Sequence, residues 1–218
     1  MDGVAWLNGR ILSPAEASVS ALDHGYLYGL GCFETLRVYQ GRPFRLERHV
    51  ARLLAGARTL GIQDAPTAAA VVAAVTEAVD AAGLTAARVR FSLTPGPGEP
   101  TPDGARHGPP VLLVLVLPHA DGPAAGVRLA RAAWRVASTS PLAGVKAASY
   151  APYLLARRAA RARGADDALL LNERDELVET ATGNLFLVRD GVLVTPDLAS
   201  GPLPGVTREA VLELARAL

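Results

Sequence analysis

The chain is nearly devoid of lysine. Lys and Arg together number 22 among 218 residues, and Lys146 is the single lysine; arginine supplies all the rest. Arginine makes surface ion pairs and phosphate contacts at least as well as lysine, so a lone lysine is not explained by those uses. A guanidinium stays protonated and is a poor nucleophile, whereas an amine can condense with a carbonyl. The other shortages exclude whole classes of protein. One cysteine, Cys32, allows neither an internal disulfide nor a cysteine-based metal cluster. A net charge of +1 leaves no electrostatic footprint for nucleic acid. No apolar run approaches the length needed to span a bilayer. The first residues lack the basic, then apolar, then small-residue order of a secretion signal, so a cytoplasmic location is expected.

What is present is an ordinary globular balance, half hydrophobic and one-fifth charged, enough for one large domain or two modest ones. Residues 4–12 read as strand, turn, strand, with Asn8-Gly9 as the turn, and 32–45 as a second hairpin turning at Gln40-Gly41. Leu46, Val50, Leu53, Leu54, Ala57 and Leu60 share one helical face, stopped at Gly61. A second helix runs from Pro66-Thr67 to near Gly83, followed by an alternating strand at 86–94. Residues 95–110 form a Pro/Gly-rich loop of a length that is often functional or mobile. A buried strand covers 111–117, and 118–126 is the best linker candidate. Beyond it the pattern predicts a strand at 127–135, a loop with Lys146, a helix at 150–163, strands near 168–172, 183–188 and 191–195, and a final helix from Gly205. The expected architecture is α+β in two domains, 1–120 and 121–218, the second carrying the lysine.

Three features surround the question of Lys146. Its neighbours Gly144, Ala147, Ala148 and Ser149 are small and leave room for a bulky group on the amine, and Tyr150 can donate a hydrogen bond to a ring oxygen or simply start a helix. Glu179, in LVETATGNLFLV, can hold a pyridinium protonated, although a carboxylate in a turn is commonly solvated and Asn184 can act as a plain turn cap. Leu203, Pro204, Gly205, Val206 and Thr207 open a helix whose free N–H groups and hydroxyl suit a phosphate, or are an ordinary helix start. In the first half, Tyr28, Phe33, Glu34 and Arg37 cluster on or beside a strand. His49 and Arg52 share a helix face; Arg52 can grip a phosphate bidentately, or both can be the solvated side of that helix.

Taken together, DHGYLYGLGCFETLRVYQGRPFRLERHVARL, RVRFSLTPG, VKAASY, LVETATGNLFLV and LPGVTREAV resemble the fold-type IV, or class IV, pyridoxal-phosphate enzymes, which include branched-chain and D-amino acid aminotransferases and 4-amino-4-deoxychorismate lyase. The resemblance implies a two-domain fold like that of D-amino acid aminotransferase, a homodimer with its pocket between the domains, and pyridoxal 5′-phosphate as cofactor. It implies that Lys146 forms the imine and moves the proton, that Glu179 partners the pyridine nitrogen, and that Tyr150 lies beside the ring hydroxyl. Arg52, Val206 and Thr207 would hold the phosphate, Leu203 would pack on the ring, and Tyr28 and Phe33 would line the pocket for a small amino substrate, with neither nucleic acid nor membrane as partner. Family members continue past the helix at Gly205, so the second domain is expected to be incomplete at its C-terminus. The 23–39 segment and RVRFSLTPG are nearest to the bacterial lyases; the Arg-Pro that follows this strand in branched-chain enzymes is missing after 86–94, and so is the Arg-x-His pair of D-amino acid aminotransferases, Arg106-His107 in the loop being a near miss. The expected activity is the lyase reaction, giving 4-aminobenzoate and pyruvate, with a class IV aminotransferase as the alternative and a non-catalytic ligand-binding relative as the reading from another class.

Overall fold

The computed structural model describes residues 3–119 and 126–218. It divides into two units, residues 1–122 with 146–149, and residues 123–145 with 150–218. Most of the expected linker, 120–125, lies outside the described residues.

The first unit is built on a hairpin, β1 (Val4–Leu7) and β2 (Arg10–Leu12), that turns where Asn8 and Gly9 both take positive φ, at 44° and 87°. A short helix α1 (His24–Tyr28) precedes β3 (Cys32–Tyr39), which turns at Gln40-Gly41 into the two-residue β4 (Arg42–Pro43). Two helices follow, α2 (Leu46–Thr59) and α3 (Ala68–Ala82), then β5 (Ala86–Thr94) and β6 (Val111–Pro118). The strands form one antiparallel sheet in the order β2-β1-β6-β5-β3-β4.

Strand alternation gives this sheet two different faces. Cys32, Leu36 and Val38 of β3, Val89, Phe91 and Leu93 of β5, and Val114 and Val116 of β6 are buried against Val50, Leu53 and Ala57 of α2 and Val71, Val75 and Val79 of α3. The register places Phe33 beside Ser92, Thr35 beside Arg90 and Arg37 beside Arg88, all on the opposite face. Thr67 caps α3, its hydroxyl accepting from the Ala70 N–H at 3.2 Å, and Gly83 ends that helix in the left-handed conformation.

The second unit contains β7 (Leu129–Arg131), α4 (Ala151–Ala162), β8 (Asp167–Leu171) and β9 (Leu177–Thr180). β7 and β8 pair parallel, with α4 in the connection between them, and β8 pairs antiparallel with β9. Ala156 and Ala160 of α4 pack with Ala168 and Leu170 of β8 and Val178 of β9. A separate hairpin, β10 (Leu187–Arg189) and β11 (Val192–Val194), leads to a 3-10 turn at Leu198–Ser200 and to α5 (Val206–Ala217).

Several expectations need correction. The strand expected at 127–135 is only Leu129–Arg131. Of the strand expected at 183–188 only the end forms, in β10, which begins at Leu187, while β9 ends earlier at Thr180. Between them is a turn in which the Thr180 hydroxyl donates to the Gly183 carbonyl and accepts the Gly183 N–H. The 95–110 loop is fastened rather than loose: Gly98 N–H donates to the Leu22 carbonyl, His107 N–H to the Pro97 carbonyl, and the Arg106 guanidinium to Asp64 at 2.6 Å. Among the described residues, no helix is long and apolar enough to cross a membrane.

Candidate active site

The loop around Lys146 groups with the first unit, not with the C-terminal residues, where the sequence pattern assigns it. The cause is backbone pairing. The Phe33 N–H donates to the Lys146 carbonyl at 3.0 Å, and the Ala148 N–H donates to the Gly31 carbonyl at 2.7 Å, so Ala147 bridges to Cys32 like a short extra strand on β3. The small residues serve this approach: a Cβ on Gly29 would lie 3.2 Å from the Ser149 Cβ. The half-buried Lys146 amine, Nζ, lies 4.7 Å from the centroid of the Phe33 ring. Arg90 reaches the same ring from the neighbouring strand, its guanidinium carbon 3.7 Å from the centroid. Phe33 is therefore the floor on which an amine and a guanidinium both rest. Tyr28 is exposed on α1, its ring edge-on to His24 at 5.3 Å.

On the helix-facing side of β3 lies a buried charged cluster. Glu34 is fully buried, and its carboxylate receives Arg52 Nε and Nη2 and His49 Nδ1, each at 2.7 Å. Burial works against ionisation of Glu34, but the hydrogen bonds from Arg52 and His49 and their charges outweigh it and hold the carboxyl below its ordinary range. His49 and Arg52 are thus not the solvated side of α2: His49 is buried and the Arg52 side chain is 12% exposed. Sequence spacing puts the two on one face; it holds no signal that Glu34, fifteen residues before His49, is the anchor.

In the second unit Glu179, at the end of β9, is buried and accepts the Leu203 N–H at 3.1 Å. Asn184 donates to the Leu203 carbonyl at 2.9 Å, so it ties the turn to the 203–205 segment rather than merely capping it. The Leu203 peptide is held from both sides, and its side chain is half-buried. Tyr150 donates its hydroxyl to the Ala181 carbonyl and stacks on Tyr153, with ring centroids 4.9 Å apart. Burial, reinforced by the Glu179 carboxylate, pushes both phenols up to about 12. Val206 is buried and Thr207 exposed at the start of α5, whose N-cap is Gly205 and which has no side-chain cap. Sequence reasoning passes over Asp167, which is buried and accepts the Thr182 hydroxyl at 2.6 Å, bracing the turn that follows Glu179.

The family model for class IV aminotransferases matches residues 31–218, which takes in the Phe33, Lys146, Glu179 and Thr207 segments together. The chain belongs to that family. Among solved structures, a branched-chain aminotransferase from the archaeon Thermoproteus uzoniensis, with norvaline, is 34% identical; the match covers 98% of this chain and 74% of that one, at a TM-score of 0.90. A branched-chain aminotransferase of T.th., with pyridoxamine 5′-phosphate, is 30% identical, covering 100% and 74%, at 0.91. A putative 4-amino-4-deoxychorismate lyase of Legionella pneumophila is 29% identical, covering 94% and 75%, at 0.86. The class IV chain is accordingly a fold-type IV enzyme that depends on pyridoxal 5′-phosphate.

The side chains described above suit that cofactor. An aldehyde needs an amine, a pyridine nitrogen needs an anion, and a phosphate needs N–H donors. Lys146 is a half-buried amine, Glu179 is a buried carboxylate already oriented by a backbone N–H, and α5 begins with no side-chain cap on its N-terminal N–H groups. Among the described residues there is no group of His, Cys, Asp and Glu that could hold a metal ion.

Proposed function

We propose that this class IV enzyme is a 4-amino-4-deoxychorismate lyase, releasing 4-aminobenzoate and pyruvate. The observation that carries the reading is the face of the first sheet that bears Phe33. Arg90 lies over the ring on which the Lys146 amine rests, and Arg37 and Arg88 stand further along the same face. Arg37 and Arg88 are direct cross-strand neighbours, so the face carries concentrated positive charge. A substrate bearing one amine and two carboxylates matches such a surface better than a branched aliphatic side chain does.

Bound pyridoxal phosphate supplies an electron sink for the bond that breaks next to the substrate amine. The chain's own residues supply the rest. The Lys146 amine takes a proton from carbon and returns it, and Phe33 beneath it fixes the direction from which it acts. Glu179 supplies the negative charge that keeps a pyridine nitrogen protonated, held in place by the Leu203 N–H. Tyr150 spends its one O–H on the Ala181 carbonyl, so toward a ring hydroxyl its oxygen acts as an acceptor in this conformation. Arg52 and the Val206-Thr207 helix start hold the phosphate, one by a charged fork and the other by backbone N–H groups and a hydroxyl. Leu203 packs on the ring, and Tyr28 and Phe33 line the substrate's approach.

A second reading, transamination between an amino acid and a 2-oxo acid, is favoured by the 34% identity to the archaeal branched-chain enzyme. It uses the same residues up to the point at which the proton returns. Incubation with 4-amino-4-deoxychorismate, and separately with 2-oxoglutarate and a panel of amino acids, separates the two. Stoichiometric pyruvate and 4-aminobenzoate are expected; glutamate formation with no pyruvate would replace the lyase reading by the transaminase one.

A further inference from the structure

We propose that Glu34 and His49 are positioning residues for cofactor binding, acting through Arg52 on the phosphate; this rests on the reading of Arg52 as a phosphate contact. Glu34 stands where the sheet otherwise presents Cys32, Leu36 and Val38 to the helices, and it is fully buried. Taking a carboxylate out of water is costly, and an apolar residue of similar volume would pack there at less cost. The cost is offset by three charge-assisted hydrogen bonds, two from Arg52 and one from His49.

The geometry of those bonds determines more than charge balance. Glu34 takes Nε by one oxygen and Nη2 by the other, so the whole guanidinium plane is set by a rigid fork. The direction in which Nη1 points is then fixed before any ligand arrives. An arginine without that anchor keeps most of its rotamer freedom and loses it on binding. His49, one turn earlier on α2, bonds the same Oε2 and prevents the carboxylate from rotating off the fork.

The test compares pyridoxal phosphate with pyridoxal, which lacks the phosphate, in titrations of the whole chain freed of cofactor, read by absorbance and by quenching of tryptophan fluorescence. Glu34→Gln should weaken pyridoxal phosphate about tenfold, the scale on which an orienting partner acts, and leave pyridoxal within about twofold of the wild type. His49→Gln should move the same ratio in the same direction by less. Adding Glu34→Gln to Arg52→Ala should change the ratio no further. Equal weakening of both compounds by Glu34→Gln, or none, overturns the proposal. If Glu34→Gln does not fold, Glu34→Asp and His49→Gln decide it, and an unchanged ratio in both overturns it. An unchanged ratio in Arg52→Ala alone would instead remove the phosphate reading of Arg52 itself, a failure distinct from that of its positioning by Glu34.

Discussion

Lys146 has its main chain hydrogen-bonded to the start of β3 and its amine on the Phe33 ring. A cation held over an aromatic face is favoured by the ring quadrupole, and an arginine at 146 would find the same attraction. Lys146→Arg therefore keeps the packing and the charge and removes only the nucleophilic amine. Turnover should fall by orders of magnitude while the thermal midpoint stays near that of the wild type. Borohydride reduction of the cofactor-loaded protein, followed by mass spectrometry, should add the cofactor's mass to the Lys146 peptide in the wild type and to no peptide in the variant. Turnover close to wild type, with the variant free of contaminating enzyme, would sink the assignment. The lone lysine was legible because composition singled it out. Its attachment to the first unit was not, since the backbone hydrogen bonds that make it involve no distinctive side chains.

Elements were legible where periodicity was long. α2, α3 and β5 each carry a repeating apolar pattern over nine or more residues, and their bounds agree closely with expectation. The short strands of the second unit, such as β7, β9 and β10, have three or four residues, too few for a pattern to separate strand from turn. The five-residue α1 is set by its cap rather than its pattern: Asp23 accepts the Gly25 N–H at 2.7 Å and the Thr94 hydroxyl at 2.8 Å. The start of α5 offers a test at this scale. Gly205 has φ −68°, which any residue tolerates, so its role is not conformational freedom. A Cβ there would collide with Oδ1 of Asn184, the side chain that holds the Leu203 carbonyl. Gly205→Ala should push Asn184 away, cost about 1–3 kcal/mol as over-packing does, and loosen the Leu203 peptide that bonds Glu179. Thermal unfolding and cofactor affinity should both fall, and Asn184→Gly placed on top should recover part of the stability. A variant as stable as the wild type would show that the 203–205 segment gives way freely.

At the scale of the whole molecule, each unit holds groups on both sides of the pH range: a depressed Glu34 carboxyl and a raised Cys32 thiol in the first, depressed Glu173 and Glu176 carboxyls and raised phenols in the second. In the first, Glu34 has a carboxyl held below its ordinary value of 4.5, so the folded state favours the ionised form. Its contribution is present above that value and is lost as pH falls through the depressed one, where the folded unit must take up a proton and break the Arg52 fork. In the second, Tyr150 and Tyr153 ionise at about 12 instead of 10. Below 10 both phenols are neutral in folded and unfolded chains alike, and their contribution is intact. Between 10 and 12 the unfolded chain loses protons that the folded unit keeps, so stability drains away as pH rises. The two tryptophans make the units separately visible: Trp6 packs on the core of the first and Trp134 on that of the second. With Trp134→Phe, fluorescence-monitored urea unfolding should show a midpoint that drops below pH 4.5. With Trp6→Phe, the midpoint should drop above pH 10, and Tyr153→Phe should flatten that alkaline decline. If the midpoint of the first protein stays level through the acid range, the coupling of Glu34 to stability is wrong, and if Tyr153→Phe leaves the alkaline decline unchanged, so is that of Tyr153.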